Sequence, residues 1–99
     1  SKASDRTKIL ALADDYYKVV IKLGGSTCGE HNDGLSRAPY LKELYGSDVY
    51  KLFVDIKKIF DPRNIMNPGK KIGVTTEQTK KLLRHRYGME HIYDHMPHN

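Results

Sequence analysis

GGSTCGEHNDGLSR, residues 24–37, sets the reading of the whole chain, because it separates two amphipathic stretches and carries adjacent Glu30 and His31 at its centre. Before it, Ile9, Leu12, Ala13, Tyr16, Val20 and Leu23 recur at intervals of three and four, which draws one apolar stripe along a helix over residues 5–23. Ser4 is placed to cap that helix, and Gly24 to close it. Val19, Val20 and Ile21 are β-prone, so a strand at the last turn is the alternative; the stripe favours the helix. Residues 25–28 read as a short extended segment. Residues 30–37 read as a loop, with Gly29 and Gly34 available for positive φ.

Beyond the loop, Pro39 suits the first turn of a short helix over residues 39–44, which Gly46 stops. Ser47 then caps a second helix whose Val49, Leu52, Phe53, Ile56 and Phe60 fall on one face. Asp61 ends it, since the proline that follows disfavours the helical conformation. Asn67-Pro68-Gly69-Lys70 has proline second and glycine third, the requirement of a type II turn. Thr75 and Gln78 have the capping-box spacing for a last helix over residues 76–87, with Leu82, Leu83 and Tyr87 as its apolar set and Gly88 as its end. The tail MEHIYDHMPHN is polar. The fold class is therefore mainly α, about four helices with one short extended segment.

Ninety-nine residues make one small domain or a piece of a larger protein, with a modest core. The start, SKASDRTKIL, has neither an initiator Met nor an apolar signal core, which suggests a cut from a longer protein. No run of 18 apolar residues exists, which excludes a transmembrane helix. Cys28 is the single cysteine, so no internal disulfide can form. That favours a reducing, cytoplasmic location, with the periphery of the inner membrane face left open. Seventeen Lys and Arg against twelve Asp and Glu give +5, but the basic residues are interspersed with acids along the chain, as on an ordinary solvated surface.

Few residues here can do chemistry. A histidine titrates near neutrality and can take and return a proton, while a glutamate can ligate a metal or orient a base. In an extended backbone Glu30 and His31 point opposite ways and serve different partners. His91 and His95 lie four apart with Asp94 between them, two ligands at most, where Gly88 and Pro97 disfavour a helix. Cys28 is a small packing residue rather than a nucleophile. Tyr16, Tyr17, Tyr40, Tyr45 and Tyr50 can stack on single-stranded nucleic acid or serve as amphipathic core edges; the second use is the commoner. The chain has no GxxxxGK[ST] or GxGxxG loop and so no phosphate cradle of its own.

The order of the pieces is more specific than any one of them. A helix, GGSTCGEHNDGLSRAPYL, a second helix ending LFVDIKKIFDP, then RNIMNPGKKI, resembles over residues 5–73 the C-terminal part of the FAD-linked oxidase family, flavoproteins of the vanillyl-alcohol oxidase type. Its members include D-lactate dehydrogenases, the glycolate oxidase D subunit and D-2-hydroxyglutarate dehydrogenase.

The resemblance implies an α+β protein whose upstream FAD-binding domain is the partner of this segment. It divides the chain into residues 1–73, the end of the substrate domain, and residues 74–99, a helical extension and polar tail. It further implies that His31 is the acid/base for a small 2-hydroxy acid and that Glu30 is a ligand to a divalent metal such as zinc, whose other ligands lie outside this chain. Asn67 and Lys70 would lie near the FAD domain. Alone, the segment would be inactive. Where the family usually has glycine after Glu-His this chain has Asn32, the non-glycine residue that best tolerates a left-handed backbone. That departure bears on the substrate more than on the reaction.

The rival expectation is a small basic helical module that binds nucleic acid or an acidic protein partner. It predicts binding that weakens steeply with salt. Under the leading expectation no nucleic acid is bound, and the oligomeric state is left unspecified.

Overall fold

The computed structural model describes residues 3–83. Helix α1 spans Ala3–Lys22, a single turn α2 spans Gly34–Arg37, a 3₁₀ turn spans Ala38–Tyr40, α3 spans Leu41–Phe60 and α4 spans Thr76–Leu82. There is no strand among the described residues, and no described helix is long and apolar enough to cross a membrane. The mainly α expectation holds, with differences at particular boundaries.

Helix α1 already contains Ser4, which is therefore not its cap. At its other end Gly24 takes φ 76° and donates to the Ile21 carbonyl, while Gly25 donates to the Val20 carbonyl. Those two bonds are a Schellman closure, which satisfies carbonyls the helix would otherwise leave bare. A Cβ on Gly25 would lie 2.9 Å from Val20 Cγ1, so the closure also needs the second glycine. The segment expected to be extended instead folds on itself, with Ser26 Oγ donating to the Cys28 carbonyl and accepting from the Cys28 amide. Part of the expected loop, residues 34–37, is helical, and runs into the 3₁₀ turn where a short helix is expected to start at Pro39. Gly34, at φ 56°, starts it.

Gly46 interrupts α3 with φ 83° and ψ 165°, where the sequence places the end of a short helix and the start of a longer one. The first piece supplies the core. Leu41 is fully buried with Ala38 and Val74, and Leu35 and Tyr50 pack against them. Burying a leucine side chain contributes about 1.5–3 kcal/mol, so this cluster carries much of what the described residues hold by packing. Gly73 N–H donates to the Tyr50 hydroxyl at 2.9 Å, and the Thr79 hydroxyl donates to the Leu35 carbonyl at 3.0 Å, which fastens the last segment to the same cluster. The capping box of α4 forms in both directions between Thr75 and Gln78. The helix stops at Leu82, where Leu83 turns to an extended conformation; the expected end at Tyr87 and Gly88 lies outside the described residues. Residues 84–99, with the His91 and His95 pair, lie outside the described residues.

The expected apolar stripes exist but do not face this core. On α1, Ile9, Leu12, Tyr16 and Val19 are exposed, as is Leu23 just beyond its end; Ala13 and Val20 are half-buried, and it is Tyr17 that reaches inward, its ring 4.8 Å from that of buried Tyr40. On α3, Leu52, Ile56, Ile59 and Phe60 are exposed. The radius of gyration is 16.9 Å, against about 13 Å for a compact domain of 100 residues. Two amphipathic helices thus present their apolar faces outward.

Candidate functional site

The Glu30 and His31 loop is held from both sides. On the near side the Thr27 carbonyl accepts from Arg37 Nη1 at 3.3 Å, and the Asp33 carbonyl accepts from the Arg37 amide. At Asn32 the backbone is left-handed, φ 61°, as expected for an asparagine standing in a glycine's place. Its side chain is not idle bulk. Asn32 Oδ1 accepts from the Asp33 amide at 2.8 Å and from Lys71 Nζ at 2.8 Å. The same ammonium lies 3.1 Å from the carboxylate of Asp33, which is buried.

Because the backbone bends here, Glu30 and His31 do not point apart. His31 Nε2 lies 3.0 Å from Glu30 Oε1, and both side chains are more than four-fifths exposed. The pair therefore stands on the surface with one group holding the other, contrary to the extended reading. Glu30 also borders a cleft of about 380 Å³ whose wall includes Ser26, Cys28, Asn32, Tyr45 and Lys71. Cys28 is free and half-buried there.

Asn67 and Lys70 are not brought to the Glu30 and His31 pair. They line a second groove, about 440 Å³, against Ile56, Phe60 and Met66, which shares Phe53 and Lys71 with the first. Gly69 has φ 71°, the left-handed value that the third position of a type II turn takes. The groove's floor is fixed by Asp61. Its carboxylate accepts from Lys57 Nζ, from Ile65 N–H at 2.9 Å and from Met66 N–H at 3.0 Å, while Lys57 also donates to the Met66 carbonyl.

The hydrogen bond from Lys57, with the two backbone amides, holds the Asp61 carboxyl below its ordinary 3.8. A carboxyl whose pKa is lower in the folded state stabilises the fold above its unfolded value and loses that contribution as pH falls through the folded value. The amide resonances of Ile65 and Met66 are therefore expected to titrate together with a midpoint below 3.8, and to stop titrating in Asp61→Asn. A midpoint at or above 3.8 would show that the carboxylate is not stabilised by these donors.

The described residues contain no group of three or more His, Cys, Asp or Glu side chains placed to hold a metal ion. They do not fit a zinc site by themselves, and the Glu30 carboxylate is engaged with His31. Several lysines are also committed locally: Lys18 to Asp14, Lys51 to Asp55 and Lys57 to Asp61. Lys71 and Asp33 are the members of the site that the sequence did not single out. Lys71 read as one more scattered base, and only the folding of the 37 residues between it and Asp33 makes it a partner.

The family model for FAD linked oxidases, C-terminal domain, matches residues 1–71. The chain belongs to the FAD-linked oxidase family. Among other FAD-linked oxidases and their relatives it is similar to the glycolate oxidase subunit GlcD of Bacillus subtilis, 41% identical over 57% of this chain and 12% of that one. It is similar to a D-lactate dehydrogenase of Archaeoglobus fulgidus, 40% identical over 66% of this chain and 13% of that one. To the D-2-hydroxyglutarate dehydrogenase of Escherichia coli it is 37% identical over 60% of this chain and 6% of that one. The chain thus matches a small fraction of the length of the FAD-linked oxidases it resembles. No solved structure matches it.

Proposed function

We propose that this chain forms one wall of the active site of an FAD-dependent 2-hydroxy-acid dehydrogenase, with His31 as the acid/base. The observation that carries the reading is the Glu30 and His31 contact at 3.0 Å on an exposed loop, beside helices whose apolar faces are uncovered. Relatives named for glycolate, D-lactate and D-2-hydroxyglutarate share one substrate chemistry, a hydroxyl on the carbon next to a carboxylate. A bound flavin supplies the acceptor for the hydride that leaves that carbon.

The rest falls to this chain. A neutral imidazole has one donor nitrogen and one acceptor nitrogen. With Nε2–H donating to Glu30, the lone pair sits on Nδ1, which takes the hydroxyl proton as the carbon gives up its hydride. The imidazolium so formed faces the Glu30 carboxylate, which stabilises it. Glu30 thus orients the base, the second of the two roles open to a glutamate. Exposure of both side chains keeps that interaction weak until another surface covers the loop and excludes water.

Since this chain brings no glycine-rich phosphate cradle, the cofactor's phosphates are assigned to the rest of the protein, with Asn67 and Lys70 facing that part. The uncovered stripes on α1 and α3 are the surfaces that would receive it. The test is anaerobic mixing of the full-length protein with a set of 2-hydroxy acids. Bleaching of the flavin absorption by at least one of them is expected, and a protein that binds no flavin, or whose flavin none of them reduces, would refute the assignment.

A further inference from the structure

We propose that Lys71 is a positioning residue, a cationic strut that fixes the loop bearing Glu30 and His31 against the frame of the domain; its catalytic consequence rests on the reading of His31 as the base. Among the described residues, the hydrogen bonds and ion pairs that leave residues 28–33 for anything beyond Arg37 all end on Lys71 Nζ. It meets two successive residues, Asn32 Oδ1 at 2.8 Å and the buried Asp33 carboxylate at 3.1 Å, directly after His31.

The other end of the strut is anchored. Two residues on, Gly73 N–H is bonded to the Tyr50 hydroxyl, and Val74 is buried in the core cluster. On the preceding side, the Met66 amide and carbonyl are held by Asp61 and Lys57. Between these anchors Lys71 itself has φ 61°, and the Ile72 amide donates across it to the Lys70 carbonyl at 2.6 Å. A positive φ is costly for a side chain of this length, and glycine would adopt it freely. A lysine persists in that conformation where its ammonium gains what the backbone loses, and here the gain is the Asn32 and Asp33 pair.

Asn32 completes the device. A glycine at that position would give the same left-handed turn but no acceptor for Lys71. Taking the strut away leaves a buried carboxylate without its cation and the His31 loop with only its short-range bonds.

The experiment uses the full-length flavoprotein and compares Lys71→Met, Lys71→Arg, His31→Asn and the double variant Lys71→Met with His31→Asn. Amide exchange of residues 29–34, referred to that of residues 47–60, is expected to rise about tenfold in Lys71→Met and to return to near the parent value in Lys71→Arg. Flavin reduction by the 2-hydroxy acid that bleaches it best is expected to slow about tenfold in Lys71→Met with FAD content unchanged, since misplacement of a base by about 1 Å can cost that much or more. In the His31→Asn background the same change is expected to have almost no effect, because a residue that acts through His31 cannot matter once His31 is gone.

Unchanged exchange in Lys71→Met, or equal loosening in Lys71→Arg, overturns the strut. Loosened exchange with unaltered reduction overturns its positioning role if His31→Asn is itself slow. If His31→Asn reduces its flavin at the parent rate, the base assignment fails instead, and the exchange data alone decide the strut.

Discussion

His31→Asn in the full-length protein is expected to slow reduction of the flavin by substrate at least tenfold, and by up to about 10²–10⁴-fold if proton removal dominates the barrier. Asparagine keeps some of the polarity and bulk of the imidazole but cannot accept the hydroxyl proton at neutral pH. His31 lies on an exposed loop outside the core, so the variant should keep its FAD and its helical signal. Stopped-flow absorbance measures the rate, and the ratio of flavin to protein absorbance reports retention of the cofactor. Unchanged kinetics would remove His31 from the chemistry.

Leu41→Ala is expected to be the most damaging single truncation of the core. Leu41 is fully buried at the meeting point of the 3₁₀ turn, α3 and the segment carrying Val74, and only Ala38 and Val74 share its cluster at comparable burial. Removing its three outer carbons loses their transfer free energy and leaves a cavity that so small a cluster cannot easily refill, for a total of about 2–5 kcal/mol. Leu52→Ala removes the same atoms from a side chain that is 58% exposed, and is expected to change the stability of the chain by about 0.5 kcal/mol or less. Urea unfolding of the 99-residue chain followed by far-ultraviolet circular dichroism compares the two. Equal losses would show that the described core is not where the stability resides.

The sequence was most legible where a local device carries its own signature. Gly24 at the end of α1, the break at Gly46, the type II turn at Asn67-Pro68-Gly69-Lys70 and the Thr75 and Gln78 box are each set by residues within six positions of one another. They stand in the structure as the spacing predicts. The stripes misled for a physical reason. Periodicity says that a face is apolar, not what covers it, and Ile9, Leu12, Ile56 and Phe60 stand exposed rather than in the core.

At the candidate site the motif made Glu30 and His31 visible, and Asn32 was readable as a left-handed residue. Their mutual contact was not, because the side-chain directions depend on a bend that only the folded loop reveals. Lys71 was invisible because its partners lie 38 and 39 residues away. The spacing of charges along a chain cannot show which pairs the fold will close.

The break at Gly46 has an effect on phase. In an uninterrupted α-helix, residues 11 apart differ in direction by only about 20°, so Leu41 and Leu52 would have to share one fate, both inward or both outward. With the helix restarted after φ 83°, Leu41 is sealed at 0% exposure while Leu52 stands at 58%. One glycine therefore resets the angular clock of the chain, and a single run of twenty residues serves two surfaces: an inward one that anchors the core and an outward one that leaves its apolar side chains exposed.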